Sequence, residues 1–375
     1  YIANSTRNRN RGMRDYLDLK APSLARDLQK AGYYTAHIGK WHMGGGRDIS
    51  DVPYITQYGF NESVTQFEGL GERYLATYET LDLPKGDSTR GLEKMSAALG
   101  KGEIHWIKRY DFTEVFVNRT LEAIGRARDK GKPFYINLWP DDVHTPIEPP
   151  PHLRGDGSIH DKYLGVIYEM DRHFGRLFDY IKNQPGLMDN TIIILTSDNG
   201  PARNVGSAGN LRGHKGNLYE GGIREPFIVW APSIMPGEMK GQVNSETLIA
   251  GMDLAPSLLE IAGANSNEGH SFDGINMSKA LLGYEEEKRE TPVMWQRPPG
   301  VTGSNLETNY PDLAIRKGDY KLLMDTDGSN VQLYNIAEDE EETNNIVNDH
   351  PDKAEELKDL LLEWYSSMPP IVELE

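Results

Sequence analysis

The chain has 375 residues, 38% of them hydrophobic and 26% charged, enough to build one large domain or a large domain with a smaller appendage. A formal net charge of −17 argues against nucleic acid as a partner, and no apolar run approaches the roughly 18 residues of a membrane-spanning helix. There are no cysteines, which excludes disulfides, thiolate metal ligands and thiolate nucleophiles. An anionic substrate would be repelled by the overall field, so any site for one has to be a local cluster of cations. The sequence opens at Tyr1 with no charged or apolar leader pattern, so a signal peptide is not observable in it.

Ser23, after Pro22, is placed to cap a short helix carrying Leu24 and Leu28 that stops at Gly32. The strand formers of residues 33–38 follow, ending in Gly39-Lys40-Trp41-His42. Val117, Leu121 and Ile124 predict a helix over about 111–129. Residues 133–139 read as a buried strand, followed by the loop Asp141-Asp142-Val143-His144-Thr145-Pro146. Leu164, Ile167, Met170, Phe174, Leu177 and Ile181 recur at helical spacing. The β-branched run of residues 191–196 suits a central parallel strand covered on both faces. A short strand at 226–230 and a helix at 253–261 follow. Strands alternating with helices predict an α/β fold with a doubly wound, mostly parallel sheet.

The tail from residue 289 differs. Short strands at 313–316, 320–324 and 331–334, turns at Gly318-Asp319 and Asp327-Gly328, and a helix at about 352–365 predict a small antiparallel sheet with one helix. The expected division is therefore 1–288 and 289–375. The acidic run 338–342 reads as a solvated linker. Residues 59–110 and 297–310 receive no elements and are candidates to line a pocket mouth. Trp106, Trp139 and Trp295 are either sugar-stacking rings or core residues.

In an open parallel sheet, ligands bind beyond the carboxyl ends of the strands. Three polar clusters follow three expected strands at that edge. In the first, Lys40 and His42 are two residues apart and share a side if strand geometry persists, with Trp41 opposite. An ammonium and an imidazole side by side suit an anion and a proton transfer; the alternative is a surface lysine beside a half-buried histidine. In the second, Pro146 holds Thr145 extended and so fixes how the loop presents His144, while Asp141 and Asp142 are either metal ligands or exposed turn carboxylates. In the third, Asp198 and Asn199 offer two oxygen donors to a hard cation, although Asp-Asn-Gly is also an ordinary turn. The segment from Gly213 to Arg224 then has four glycines in ten residues, with Lys215 and Arg224 supplying charge. No Ser or Thr follows Lys215, so it is not a Walker loop; a floppy surface loop is the other reading.

Gly32 to His42 closely resembles the second signature of the sulfatase family, whose fold is related to alkaline phosphatase. His144-Thr145-Pro146, Ser197-Asp198-Asn199-Gly200 and the loop from Gly213 to Pro226 match further family motifs in order, and Ala314 to Asn345 resembles the small C-terminal subdomain. The resemblance implies that Lys40 and Lys215 hold the sulfate oxygens, that His144 binds there too and protonates the leaving alcohol oxygen, and that His42 takes a proton from the covalent intermediate. Asp198 and Asn199 would ligate calcium, with magnesium as the alternative. It also implies a sulfated small molecule or glycan as partner and a periplasmic or secreted location.

The sequence departs from the family at one point. The Cys-x-Pro-Ser-Arg or Ser-x-Pro-Ser-Arg segment that yields the formylglycine nucleophile, and the paired Asp metal ligands of the first strand, are expected before the region matching Tyr1 and do not occur in these 375 residues. The expectation is an N-terminally truncated sulfatase that, as written, lacks turnover, binds calcium weakly and is poorly soluble because a hydrophobic face is uncovered. The competing expectations are a phosphodiesterase or phosphonate hydrolase on the same scaffold, and a non-catalytic glycan- or anion-binding remnant.

Overall fold

The strand ending in Gly39-Lys40 is the pivot of the first sheet in the computed structural model, which describes residues 8, 14–44, 52–66, 68–79, 88–89, 92–93, 101–266, 271–286, 288–297 and 310–368. The described chain divides into two compact units. One runs to Met188 and takes in Gly251–Ser278; the other holds Asp189–Ala250 and the chain from Lys279 onward.

In the first unit β1 (Tyr34–Lys40), β2 (Glu62–Gln66), β3 (Arg73–Thr77), β4 (Ile104–Lys108) and β5 (Phe134–Trp139) form a five-stranded parallel sheet in the order β4-β3-β2-β1-β5. Side chains of β1 alternate between its faces. Ala36 and Ile38 pack with Val64, Ala76 and the Phe112, Phe116 and Ala123 side of α2 (Phe112–Asp129). His37 on the opposite face meets the rings of Trp41, Phe60 and Trp139. Burial there pushes the His37 imidazole down to about 4. α1 (Leu24–Lys30) begins as expected at Ser23, whose hydroxyl accepts the Arg26 amide at 3.4 Å, and it buries Ala25 in the cluster of Trp41, Ile55, Tyr58 and Phe60. α3 (Ile159–Asn183) is the helix expected from the spacing of Leu164 to Ile181, but of those six residues only Leu177 and Ile181 are buried; Leu164 is exposed and Val166, outside that spacing, is buried.

Strands β2, β3 and β4 lie in the stretch 59–110, which the sequence reading leaves without elements. Each is only five residues long, with Glu62, Gln66, Arg73 and Lys108 at its ends, so none shows an apolar run or alternation long enough to register. Arg73 is nevertheless buried, its guanidinium donating to the carbonyl of Lys101 at 2.7 Å.

In the second unit β6 (Ile193–Thr196) pairs antiparallel with β7 (Phe227–Trp230). This corrects the expectation of a central parallel strand at 191–196: among the described residues β7 is its only sheet neighbour, and Leu195 and Thr196 are exposed. A β-branched run reports strand propensity; the direction of its neighbour is decided by where the chain returns. Between these strands lies α4, a single turn (Glu220–Ile223). The antiparallel sheet predicted for the tail is present as β8 (Val293–Gln296), β9 (Leu313–Lys317), β10 (Tyr320–Met324) and β11 (Gln332–Asn335), in the order β11-β10-β9-β8. α5 (Pro351–Ser367) lays Ala354, Leu357 and Leu361 on Leu313, Ile315, Leu322, Met324 and Leu333. The other face receives Leu218 and Tyr219 against Ala314, Leu323 and Tyr334. The acidic run 338–342 is not simply solvated: Glu342 is fully buried and paired at 2.9 Å with the equally buried Lys321. A buried ammonium requires counter-charges, and this run supplies one. No helix of the described residues is long and apolar enough to cross a membrane.

Candidate active site

Lys40, His42 and His144 belong to the first unit, and Asp198, Asn199 and Lys215 to the second. β1 ends at Lys40, whose ammonium lies 3.2 Å from Asp141 Oδ1 in the loop after β5. The second oxygen of Asp141 accepts from Gln66 Nε2 at 3.0 Å and faces the guanidinium of Arg109 at 3.5 Å. Arg109 also binds Asp142 Oδ1 at 2.8 Å, and Thr113 Oγ1 donates to Asp142 Oδ2. Asp141 and Asp142 are therefore not exposed turn carboxylates; their side chains are 9% and 8% accessible and tied to cations. Burial by itself would raise the Asp141 carboxyl, but the charges of Arg109, Lys40 and His144 and the Gln66 hydrogen bond hold it below the usual range.

The same loop presents His144. Its amide donates to the Asp141 carbonyl at 2.6 Å, and its own carbonyl accepts from Arg109 at 3.1 Å. The exposed ring places Nδ1 2.7 Å from the Thr145 carbonyl. A carbonyl can only accept, so Nδ1 carries a proton and Nε2 is the position that exchanges one. Lys40 and His144 are thus brought together around Asp141.

His42 is placed differently from expectation. Strand geometry ends at Lys40, and His42 adopts φ 49, turning its Nε2 toward the buried Glu68 at 3.7 Å. Trp41 is buried in the core with Ala25, Ile55, Tyr58 and Phe60. Trp139, the last residue of β5, is 45% exposed beside this edge, so its ring is open to a ligand in a way the half-buried Trp106 and Trp295 are not.

In the second unit the turn after β6 is locked by its own polar groups. Ser197 Oγ donates to the Asn199 carbonyl at 3.1 Å and Asn199 Nδ2 to the Gly200 carbonyl at 3.0 Å. Gly200 N bonds the Gly222 carbonyl at 3.1 Å, and a Cβ on Gly200 would lie 2.0 Å from the Gly221 carbonyl oxygen. The glycines are close-approach positions and the Gly213–Arg224 segment is not floppy. The Lys215 amide bonds the Pro201 carbonyl at 3.0 Å, which sets Lys215 against the chain just past Asn199. His214 and the buried Asn217 close the turn, the His214 amide donating to Asn217 Oδ1 at 3.0 Å.

Glu225 was absent from the sequence reading. Burial and the negative charge of Asp198 push its carboxyl up to about 7 against a Ser197 hydrogen bond, and its Oε1 is buried without a hydrogen-bond partner among the described residues. Asp198 and Glu225, close enough to raise the Glu225 carboxyl, and the neighbouring Asn199 are residue types that supply oxygen ligands to a hard divalent cation. Among the described residues no group of three or more His, Cys, Asp or Glu is arranged to hold a metal. Arg109 and Gln66 were also missed. They follow β4 and end β2, and the strand-end criterion would have found them had those strands been visible in the sequence.

The sulfatase family profile matches residues 2–264. The chain belongs to the sulfatase family. A second profile, N-sulphoglucosamine sulphohydrolase C-terminal, matches residues 214–366. The N-acetylgalactosamine-6-O-sulfatase of Bacteroides thetaiotaomicron is 26% identical, over 92% of this chain and 77% of that protein. The N-acetylgalactosamine-6-sulfatase of Canis lupus familiaris is 27% identical, over 78% of this chain and 52% of that protein. Among solved structures, that of Ps i-CgsB in complex with k-i-k-neocarrahexaose superposes with a TM-score of 0.74 at 25% identity, covering 93% of this chain and 75% of that one. PsFucS1 sulfatase from Pseudoalteromonas sp. shares the fold with a TM-score of 0.71 at 23% identity, covering 94% of this chain and 74% of that one. By family this sulfatase is a sulfuric ester hydrolase, and family members generally use formylglycine and a divalent metal.

Proposed function

We propose that the protein hydrolyses the sulfate ester of a sulfated carbohydrate outside the cytoplasm. The reading is carried by the meeting of Lys40 and His144 on the buried Asp141 at the carboxyl edge of the parallel sheet, in a chain of the sulfatase family. It is supported by relatives named for sulfated sugars. An ammonium and an exchangeable imidazole proton are what the two ends of a breaking sulfate ester require: charge for the sulfuryl oxygens and a proton for the departing alkoxide.

In this proposal Lys40 and Lys215 bind sulfuryl oxygens, and His144 delivers its Nε2 proton to the leaving oxygen. His42, whose Nε2 faces Glu68 at 3.7 Å, would take a proton from the covalent intermediate so that sulfate is expelled. Asp198 and Asn199 hold the divalent metal, calcium, or magnesium in its place. The metal supplies positive charge to the sulfuryl group and formylglycine supplies the nucleophile. The exposed Trp139 offers a face to a sugar ring.

The 375 residues contain no cysteine and no Ser-x-Pro-Ser-Arg segment, so the proposal has them inactive by themselves. The test compares 4-nitrophenyl sulfate and bis(4-nitrophenyl) phosphate as substrates of the whole gene product and of the 375-residue chain. Sulfate turnover confined to the whole gene product is expected. A preference for the phosphate diester would overturn the sulfatase reading, and sulfate turnover by the short chain would overturn the assignment of the nucleophile.

A further inference from the structure

Two adjacent carboxylates, Asp141 and Asp142, lie within the loop that carries His144, and one of them touches Lys40. Left as a bare pair they would oppose the binding of any anion at this edge, by repulsion and by neutralising the lysine. Arg109 is the group that prevents this. It is 2% exposed, enters from the end of β4, and spends its fork on four acceptors of one loop. These are the carboxylates of Asp142 at 2.8 Å and Asp141 at 3.5 Å, and the carbonyls of Asp141 at 3.5 Å and His144 at 3.1 Å. The remaining groups facing the two carboxylates are Lys40, Gln66, Thr113 and the His144 backbone.

We propose that Arg109 is a positioning residue of the sulfatase site, acting in two separable ways. Its charge cancels the second carboxylate, so that Lys40 keeps attraction to spare for a sulfate. Its planar fork binds the His144 carbonyl and sets where the imidazole stands relative to Lys40. A lysine in its place preserves the first action and forfeits the second, because an ammonium is a point charge without the fork. Neither action brings Arg109 into contact with substrate: it is buried behind the loop. This inference deepens the proposed function and rests on it.

The consequence is a dependence on the leaving group. A 4-nitrophenolate leaves without much help from an acid, whereas a sugar or alkyl alkoxide requires the proton of His144. In the whole gene product, Arg109→Lys is expected to lose less than about 3-fold in kcat on 4-nitrophenyl sulfate and about 10- to 100-fold on a sugar or alkyl sulfate, with KM little changed. Arg109→Gln is expected to raise KM as well, by about 5-fold or more, and to weaken inorganic sulfate binding in calorimetry by the same factor, which Arg109→Lys restores. A residue that merely held the fold together would lower both substrates alike and leave KM and leaving-group dependence as they were. That equal loss, or unchanged sulfate binding in Arg109→Gln, would overturn the proposal. Should Arg109→Gln fail to fold, the double variant Arg109→Gln/Asp142→Asn, which removes one carboxylate together with the cation, takes its place with the same expectation for His144-dependent turnover. If the unsubstituted protein hydrolyses no sulfate ester, the proposed function fails, and the Arg109 inference is then decided by the sulfate calorimetry.

Discussion

Replacing Lys321 by methionine tests how the Gly-rich loop is anchored. Lys321 is fully buried on β10, with its ammonium 2.8 Å from Glu220 Oε1 on α4 and 2.9 Å from Glu342 Oε1. Glu342 also accepts the Glu220 amide at 2.6 Å, and Arg316 faces Glu220 at 3.5 Å. Burial pushes the Glu342 carboxyl up, and the Lys321 charge opposes that rise. Methionine matches the length of the lysine stem but leaves two buried carboxylates with only Arg316 at 3.5 Å and the half-exposed Arg224 at 3.9 Å, both on Glu220, as cations. Breaking a buried pair from one side costs about 3–5 kcal/mol. At about 2–4 °C per kcal/mol for a unit of this size, the unfolding midpoint of the second unit should fall by about 6–20 °C. Differential scanning calorimetry of the variant beside the unsubstituted protein measures that fall. The variant Lys321→Met/Glu342→Gln should recover part of the loss, because it removes an uncompensated charge. A loss below about 1 kcal/mol in the single variant, or no recovery in the double, would refute the view that charge compensation anchors α4 and the loop ahead of it.

The Asp141 carboxyl titrates below its ordinary value in the folded protein, so its pairing with Arg109 and Lys40 stabilises the fold above the unfolded pKa of about 3.9 and is lost as pH falls through the lower folded value. Asp141→Asn should therefore be less stable by about 3–5 kcal/mol at pH 7, with the gap closing below about pH 4; urea melts at pH 7 and pH 3.5 measure it, and a constant gap would contradict the pairing. Gly200→Ala should destabilise by about 1–3 kcal/mol or more, since the new Cβ meets backbone at 2.0 Å, and a neutral result in thermal unfolding would show that the turn can move away from Gly221.

The longer helices and strand β1 were legible because of the residue types they are made of and, in the helices, the spacing of the apolar ones. The helix expected over 111–129 is Phe112–Asp129, and the strand leading to Lys40 is Tyr34–Lys40. β2, β3 and β4 were not legible: five-residue strands ending in charged residues earn their place by pairing with neighbours distant in the chain. The candidate site shows the same split. Lys40 and His144 were found because each follows a readable strand, whereas Arg109 followed an unreadable one and Glu225 matters only through its nearness to Asp198.

Composition, periodicity and strand-end motifs together determined the α/β class, the antiparallel tail and the residues able to bind an anion or move a proton, because those depend on local side-chain chemistry and spacing. Only the tertiary structure decided that Asp141 and Asp142 are buried counter-ions, that Glu342 leaves the acidic run to meet Lys321, and that strand β6 runs antiparallel to β7. Each of those outcomes is set by which distant group arrives within a few ångströms in a low-dielectric interior, and neighbours in the chain carry no record of that.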